Sequence, residues 1–367
     1  MLIPLRGADP GRCGAKAATL GRLLSAGLPV PDGVVLPFGS DPGDLARDAH
    51  AAWSTLAPGP VAVRSSADGE DSPEASMAGQ HATVLGARTP AEVADAVRTC
   101  LASLTSPGAT AYRKRLGAGE PRMAVIVQRL IHADAAGVMF VTGARTVIEA
   151  APGLGTAVVE GHVTPDRYRV APDGTVDHRP GDSTDGVARV LDDGAVAGLV
   201  ALGRAVTAVL GDRQDIEWAI SGGVIWIVQA RPITAPLPEA ATPTRAATPA
   251  APHAATPAES TLRGSPGSSG VATGPARIVR GPADFGSVRP GDILVCPYTD
   301  PAWTPLLAVA AGVVTRTGGM LSHAAIVARE LAIPAVLGIP GALDRIHDGD
   351  LVTIDGDAGT VALGTGA

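Results

Sequence analysis

The sequence predicts a two-domain protein of α+β and α/β class, and three observations carry that prediction. A stretch built almost wholly of Ala, Pro and Thr, APLPEAATPTRAATPAAPHAATPAES from Ala235 to Ser260, divides the chain. Before it, short apolar runs alternate with segments of helical spacing, and after it strand-like runs follow one another around a single helical stretch. The chain is 367 residues long, too long for one ordinary core and suited to two.

Taken in order, residues 1–234 form the first expected domain. VAVRSS, MAVIVQRL, GVMFV and RTVIEA read as strands, and Ala91 to Leu104 and Gly194 to Leu210 as helices. Residues 235–262 are the expected linker. Repeated prolines fix φ and remove donors, so about 26 residues in extended form reach on the order of 60–80 Å. Residues 263–367 form the second expected domain. VATGPARIVR, GDILVCPY, GVVTRTGG, IPAVLGI and DLVTIDGDAGTVAL read as strands, with a helix after Ser322 and Gly-Asp turns near the end.

Composition excludes several classes. Hydrophobic residues make up 46% of the chain, but charges, Gly or Pro interrupt each run, so no membrane-spanning helix is expected. MLIPLRGADPGRCGAK has no secretory pattern, which predicts a cytoplasmic protein. Cys13, Cys100 and Cys296 are widely spaced without a CxxC pair and read as reduced, buried thiols. A net charge of −7 and 3% aromatics, with no basic stripe, argue against nucleic acid as a partner.

Three segments carry chemistry. TGGMLSHAAIVARE, Thr317 to Glu330, is a glycine turn followed by Ser322 and His323 at a helix start. Free amides and the helix dipole there suit a phosphoryl group and disfavour imidazolium, leaving a neutral nucleophile. Lys16 follows a glycine turn before a helical stretch and can act as a point charge on phosphates, while Arg64 ends a strand and offers a fork for phosphate oxygens.

The third segment, QDIEWAISGGVIWIVQARPIT, reads as a hairpin turning at Ser221, Gly222 and Gly223. That turn pairs Ile216 with Val228, Trp218 with Trp226 and Ile220 with Val224, an apolar face. It leaves Glu217 diagonal to Gln229, with Arg231 farther along the same face. A carboxylate and an amide oxygen within reach of one ion suit Mg²⁺, and Arg231 can neutralise charge on a transferred phosphoryl group.

TDPAWTPLLAVAAGVVTRTGGMLSHAAIVARELAIPAVLG resembles the phosphohistidine domain of the phosphoenolpyruvate synthase, pyruvate phosphate dikinase and rifampicin phosphotransferase family. Residues 1–234 resemble the ATP-grasp-like nucleotide domain of the same family through GAKAATLGRLLSAGLPVPDGVVL, VAVRSSADGEDSPEASMAGQHATVL, MAVIVQRLIHADAAGVMF and VIEAAPGLGTAVVEGHVTPDRY.

The resemblance implies a dikinase. His323 takes the β-phosphoryl of ATP, AMP and the terminal phosphate leave, and phosphohistidine passes its group to an acceptor. It implies ATP and Mg²⁺ as cofactors and places Thr317, Gly318, Gly319 and Ser322 around the histidine. Lys16 and Arg64 fall on phosphate-binding positions. Ala75 to Gln80, with Gly79 and Gln80, matches a loop over the nucleotide. Glu217 and Gln229 match the metal ligands, Arg231 the catalytic arginine. Arg316 stands where the family often has an acidic or neutral residue, which bears on local charge and acceptor preference. The pyruvate barrel of two members and the inserted acceptor domain of the third have no counterpart in this sequence. The acceptor site is therefore expected on a separate protein, at the interface of the two domains or in a dimer, and the first reading is a small hydroxyl- or enol-bearing acceptor, as in antibiotic modification or specialised metabolism. The alternatives are a separate protein bearing the acceptor site and a non-catalytic nucleotide sensor.

Overall fold

The computed structural model describes residues 1–68, 81–105, 110, 122–143, 145–182, 189–233 and 261–364. The expected linker, up to Ser260, and the loop Ala75 to Gln80, with Gly79 and Gln80, lie outside the described residues. The chain divides into two compact units: Met1–Gly155, Asp166–Pro180 and Thr184–Thr234 make one, and Thr156–Pro165, Gly181–Ser183 and Ala235–Ala367 the other. Thr156–Pro165 falls within the first expected domain along the chain but clusters with the second unit.

The first unit holds two antiparallel sheets. β1 (Ile3–Pro4), β2 (Gly33–Leu36), β3 (Val61–Ala67), β4 (Thr83–Ala87) and β5 (Met123–Arg129) lie in the order β1-β2-β5-β3-β4. β6 (Ala135–Thr142), β7 (Arg145–Pro152), β8 (Asp166–Val170), β9 (Val176–Arg179), β10 (Gln214–Ser221) and β11 (Val224–Pro232) lie in the order β11-β10-β6-β7-β8-β9.

The helices are α1 (Pro10–Ser25), α2 (Leu45–Leu56), α3 (Pro90–Ser103) and α4 (Asp193–Leu210). Their starts are written in the sequence. Asp9, Thr89 and Asp192 accept bonds from the amides of Arg12, Glu92 and Ala195, and Pro10 and Pro90 stand at first-turn positions that need no donor. α2 and α3 share one core with β3 and β5, through Leu45, Ala49, Val93, Val97, Val63 and Val125. α1 and α4 share a second core with the apolar face of the six-stranded sheet, through Leu20, Leu23, Val196, Leu199, Ile216 and Trp218.

Among the described residues, α4 is the one helix long and apolar enough to cross a membrane by length and composition. Its 18 residues average 1.5 in hydropathy. Here Val196, Leu199 and Val206 are buried in that second core.

The β10–β11 hairpin also differs from the expected register. Gly222 and Gly223 have φ of 55° and 78°, so the turn has two residues with positive φ rather than three residues. Ile220 faces Ile225 and Trp218 faces Ile227; a bulge then shifts the ladder, so that Ile216 faces Ala230 and Glu217 lies directly opposite Gln229. The turn chemistry sets the first shift and the bulge, invisible to an alternation pattern, the second.

In the second unit β12 (Thr261–Arg263), β13 (Ser265–Ser268), β14 (Val271–Ile278), β15 (Ile293–Cys296), β16 (Gly312–Thr315), β17 (Ala335–Leu337), β18 (Leu351–Asp355) and β19 (Thr360–Leu363) form one sheet, ordered β12-β19-β18-β14-β15-β16-β17-β13. β14 to β17 run parallel and the others antiparallel. α5 (His323–Glu330) follows β16 and leads into β17. Its apolar side, Ala324, Ala325, Val327 and Ala328, packs with Leu294, Val313 and Leu337. The two-domain α+β and α/β organisation is therefore the one observed. The three cysteines are free and buried, as expected.

Candidate active site

β15 and β16 are parallel neighbours, so the segments leaving their carboxyl ends emerge side by side. One carries Thr299 and the other His323. Thr299 Oγ1 lies 2.8 Å from His323 Nδ1, and both residues are buried. Nε2 is buried and has no hydrogen-bond partner. Burial lowers the imidazole pKa from 6.5 to about 4, so the ring is neutral near pH 7. The cause is desolvation by burial.

The loop before the ring is tied down by its own atoms. Ser322 is the N-cap residue of α5 but does not cap with its side chain, since its hydroxyl donates to Gly319 O at 2.8 Å. The first-turn amides of α5 therefore receive no acceptor from the Ser322 side chain. Thr317 Oγ1 donates to Gly161 O at 2.7 Å, from the segment that clusters with this unit, and lies 3.1 Å from Pro297 O. Gly318 has a φ of 106°, a conformation a side chain would strain. From the last turn of α5, Arg329 donates to Met320 O at 2.8 Å. Arg316 is exposed.

A second cluster sits in the first unit, where β3 meets the β10–β11 hairpin. Arg64, on β3, donates to Val228 O and to Gln229 Oε1 at 2.7 Å, and reaches Glu217 Oε2 at 3.4 Å. The carbonyl it uses belongs to the bulged stretch, where the ladder leaves an acceptor unpaired. Beside it Asp215 lies opposite Arg231, and Asp215 Oδ2 accepts from Arg231 Nε at 2.8 Å, both buried.

Lys16 is buried in α1. Its helix breaks at Gly14, whose φ is 77°. Ser66, two residues along β3 from Arg64 and so on the same face, donates to Cys13 O at 2.6 Å and accepts from Ala17 N at 3.1 Å. One serine thus ties the Lys16 turn to the Arg64 strand. A Cβ on Gly14 would lie 2.5 Å from Ser66 O, so this approach requires glycine.

The structure brings together Arg64, Glu217, Gln229 and Arg231 in the first unit and Thr317, Gly318, Gly319, Ser322 and His323 in the second. Sequence reasoning missed Asp215, Ser66 and Thr299. Asp215 was signalled by its Asp-x-Glu spacing, which puts it on the face of Glu217. Ser66 had the same signal relative to Arg64. Thr299 had none, because its role depends on two loops meeting in space.

Glu217 Oε2 and Gln229 Oε1 converge on one cationic atom, Arg64 Nη2. A carboxylate and an amide oxygen aimed at one point fit a hard divalent cation completed by phosphate oxygens and water.

Two family models match the chain. The family described as "Pyruvate phosphate dikinase, AMP/ATP-binding domain" matches residues 42–249, and "PEP-utilising enzyme, mobile domain" matches residues 288–359. The chain belongs to the family of pyruvate phosphate dikinase and PEP-utilising enzymes. A probable phosphoenolpyruvate synthase of Methanothermobacter thermautotrophicus is 35% identical over 97% of this chain and 62% of its own length. One of Archaeoglobus fulgidus is 39% identical over 83% and 43%, and the phosphoenolpyruvate synthase of Pyrococcus furiosus 36% over 83% and 41%. The chain thus spans between 41% and 62% of the length of these three relatives.

Proposed function

We propose that the chain is an ATP-dependent phosphotransferase of dikinase type, with His323 as phosphoryl carrier. The observation that carries this reading is the state of the imidazole: neutral, held at Nδ1 by Thr299, and unengaged at Nε2. With Nδ1–H donating to Thr299 Oγ1, the lone pair sits on Nε2, which attacks the β-phosphorus of ATP. The bond from that phosphorus to the α-phosphate oxygen breaks and AMP leaves. Water then attacks the terminal phosphorus of the pyrophosphoryl-histidine, its bond to the bridging oxygen breaks, and release of inorganic phosphate leaves phosphohistidine at the start of α5, where an anion is stabilised.

On this reading Lys16 and Arg64 hold phosphates, with Gly79 and Gln80 over the nucleotide. Glu217 and Gln229 would hold Mg²⁺, which when bound neutralises phosphate charge. Arg231, kept in place by Asp215, meets charge developing on the transferred group. The acceptor is a small hydroxyl- or enol-bearing molecule. An enol suits the relatives named phosphoenolpyruvate synthase; antibiotic modification would need the hydroxyl. Three free, buried thiols fit the reducing cytoplasm.

Position-labelled ATP tests the reading. Phosphorus from the β position should appear on the protein as an acid-labile adduct, phosphorus from the γ position as free phosphate, and AMP as the nucleotide product. Label from the γ position on the protein, with ADP released, would overturn it.

A further inference from the structure

The register of the six-stranded sheet lays its side chains in rows. Gln229 pairs with Glu217, Glu217 with Val138, Val138 with Glu149, Glu149 with Arg167, and Arg167 with Arg179. Paired residues share a face, so one row crosses all six strands. The next row along that face ends in Val147, Arg169 and Asp177. At about 4.8 Å per strand, Arg167 lies roughly 14 Å from Glu217 along the sheet.

The far end of the row is poorly explained by stability. Arg167 and Arg179 are directly opposed like charges, which destabilises a strand pair. Arg167 is buried, and burial, together with Arg169 and Arg179, lowers its pKa against the pull of Glu149 and Asp177, which also acts on Arg169. The Nε of Arg169 is buried without a hydrogen-bond partner. Neither Arg169 nor Arg179 forms a salt bridge among the described residues. Repulsion and an orphaned donor are both relieved when an anion with several oxygens accepts from the guanidinium forks.

We propose that Arg167, Arg169 and Arg179 form an anion subsite on the Glu217–Gln229 face of the sheet, taking a phosphate- or carboxylate-bearing small molecule. Two sources share that chemistry: the inorganic phosphate set free from ATP, and an acid group on the acceptor. The subsite rests on the sheet register and stands whether or not His323 is phosphorylated.

The test is calorimetric titration of the full chain with inorganic phosphate and, separately, oxalate, with a non-hydrolysable ATP analogue filling the nucleotide site. At least one anion should bind, and Arg169→Gln with Arg179→Gln should weaken it by roughly tenfold or more. The anion-free melting temperature should stay level or rise, because repulsion is removed. Preference for phosphate assigns the subsite to the released phosphate, and preference for oxalate to the acceptor. If the double variant does not fold, Arg179→Gln alone, at an exposed position, should weaken binding severalfold. The proposal fails if neither anion binds the wild type, if the folded variant binds both as the wild type does, or if melting falls while affinity is unchanged.

Discussion

The two candidate centres solve the problem of handling phosphate in opposite ways. Around Arg64, charge is abundant and paired: Glu217, Gln229, Asp215 and Arg231 come from one hairpin face, and Arg64 reaches across to it from β3. Around His323, charge is removed: the imidazole is buried, its pKa falls to about 4, and one neutral hydroxyl orients it. The first arrangement can hold a polyanion and a cation without moving protons. The second keeps a neutral lone pair ready on a buried ring. What differs is where the folding cost falls: a buried ion network in one centre, a desolvated base in the other.

Breaking the charged centre should give the largest effect. Glu217→Gln removes the only carboxylate that reaches Arg64 among the described residues, and AMP formation should fall by about 10²–10³-fold, read by nucleotide chromatography with melting temperature as the folding control. A loss below threefold would remove Glu217 from the reaction.

The desolvated centre should reveal itself in stability against pH. Because the folded-state pKa of His323 lies below its ordinary 6.5, its contribution is fully present above pH 6.5. That contribution declines as pH falls toward 4, by about 3 kcal/mol in all. Denaturant melts should show this slope in the wild type and lose it in His323→Gln. An equal slope in both would mean that the ring is not held neutral.

Gly14→Ala tests the stitch between the Lys16 turn and β3, and should destabilise by roughly 1–3 kcal/mol through strain at positive φ and collision with Ser66 O. Thr299→Val should have the smallest effect, about tenfold in adduct formation, and Thr299→Ser should restore most of it. Equal loss in both variants would point to packing rather than orientation.

Much of this was legible in the chain because the residues concerned lie on local patterns. The glycine turn, Ser322 and His323 are contiguous. Glu217, Gln229 and Arg231 occur on one hairpin, and even with the wrong register their alternation put them on one face. What was not legible required distances that sequence does not encode. The bulge after Glu217 costs nothing in composition, yet it turns a diagonal pair into a direct one. Thr299 meets His323 only because β15 and β16 are parallel neighbours. The placement of Thr156–Pro165 with the second unit depends on contacts such as Thr317 with Gly161, which join residues far apart in the chain.

The central claim is that nucleotide holding and phosphoryl carrying reside in separate centres, and His323→Ala separates them most directly. The variant should bind ATP in calorimetry within about twofold of the wild type while forming neither AMP nor the acid-labile adduct seen by intact mass. AMP production by His323→Ala, or an adduct that persists in it, would contradict the account.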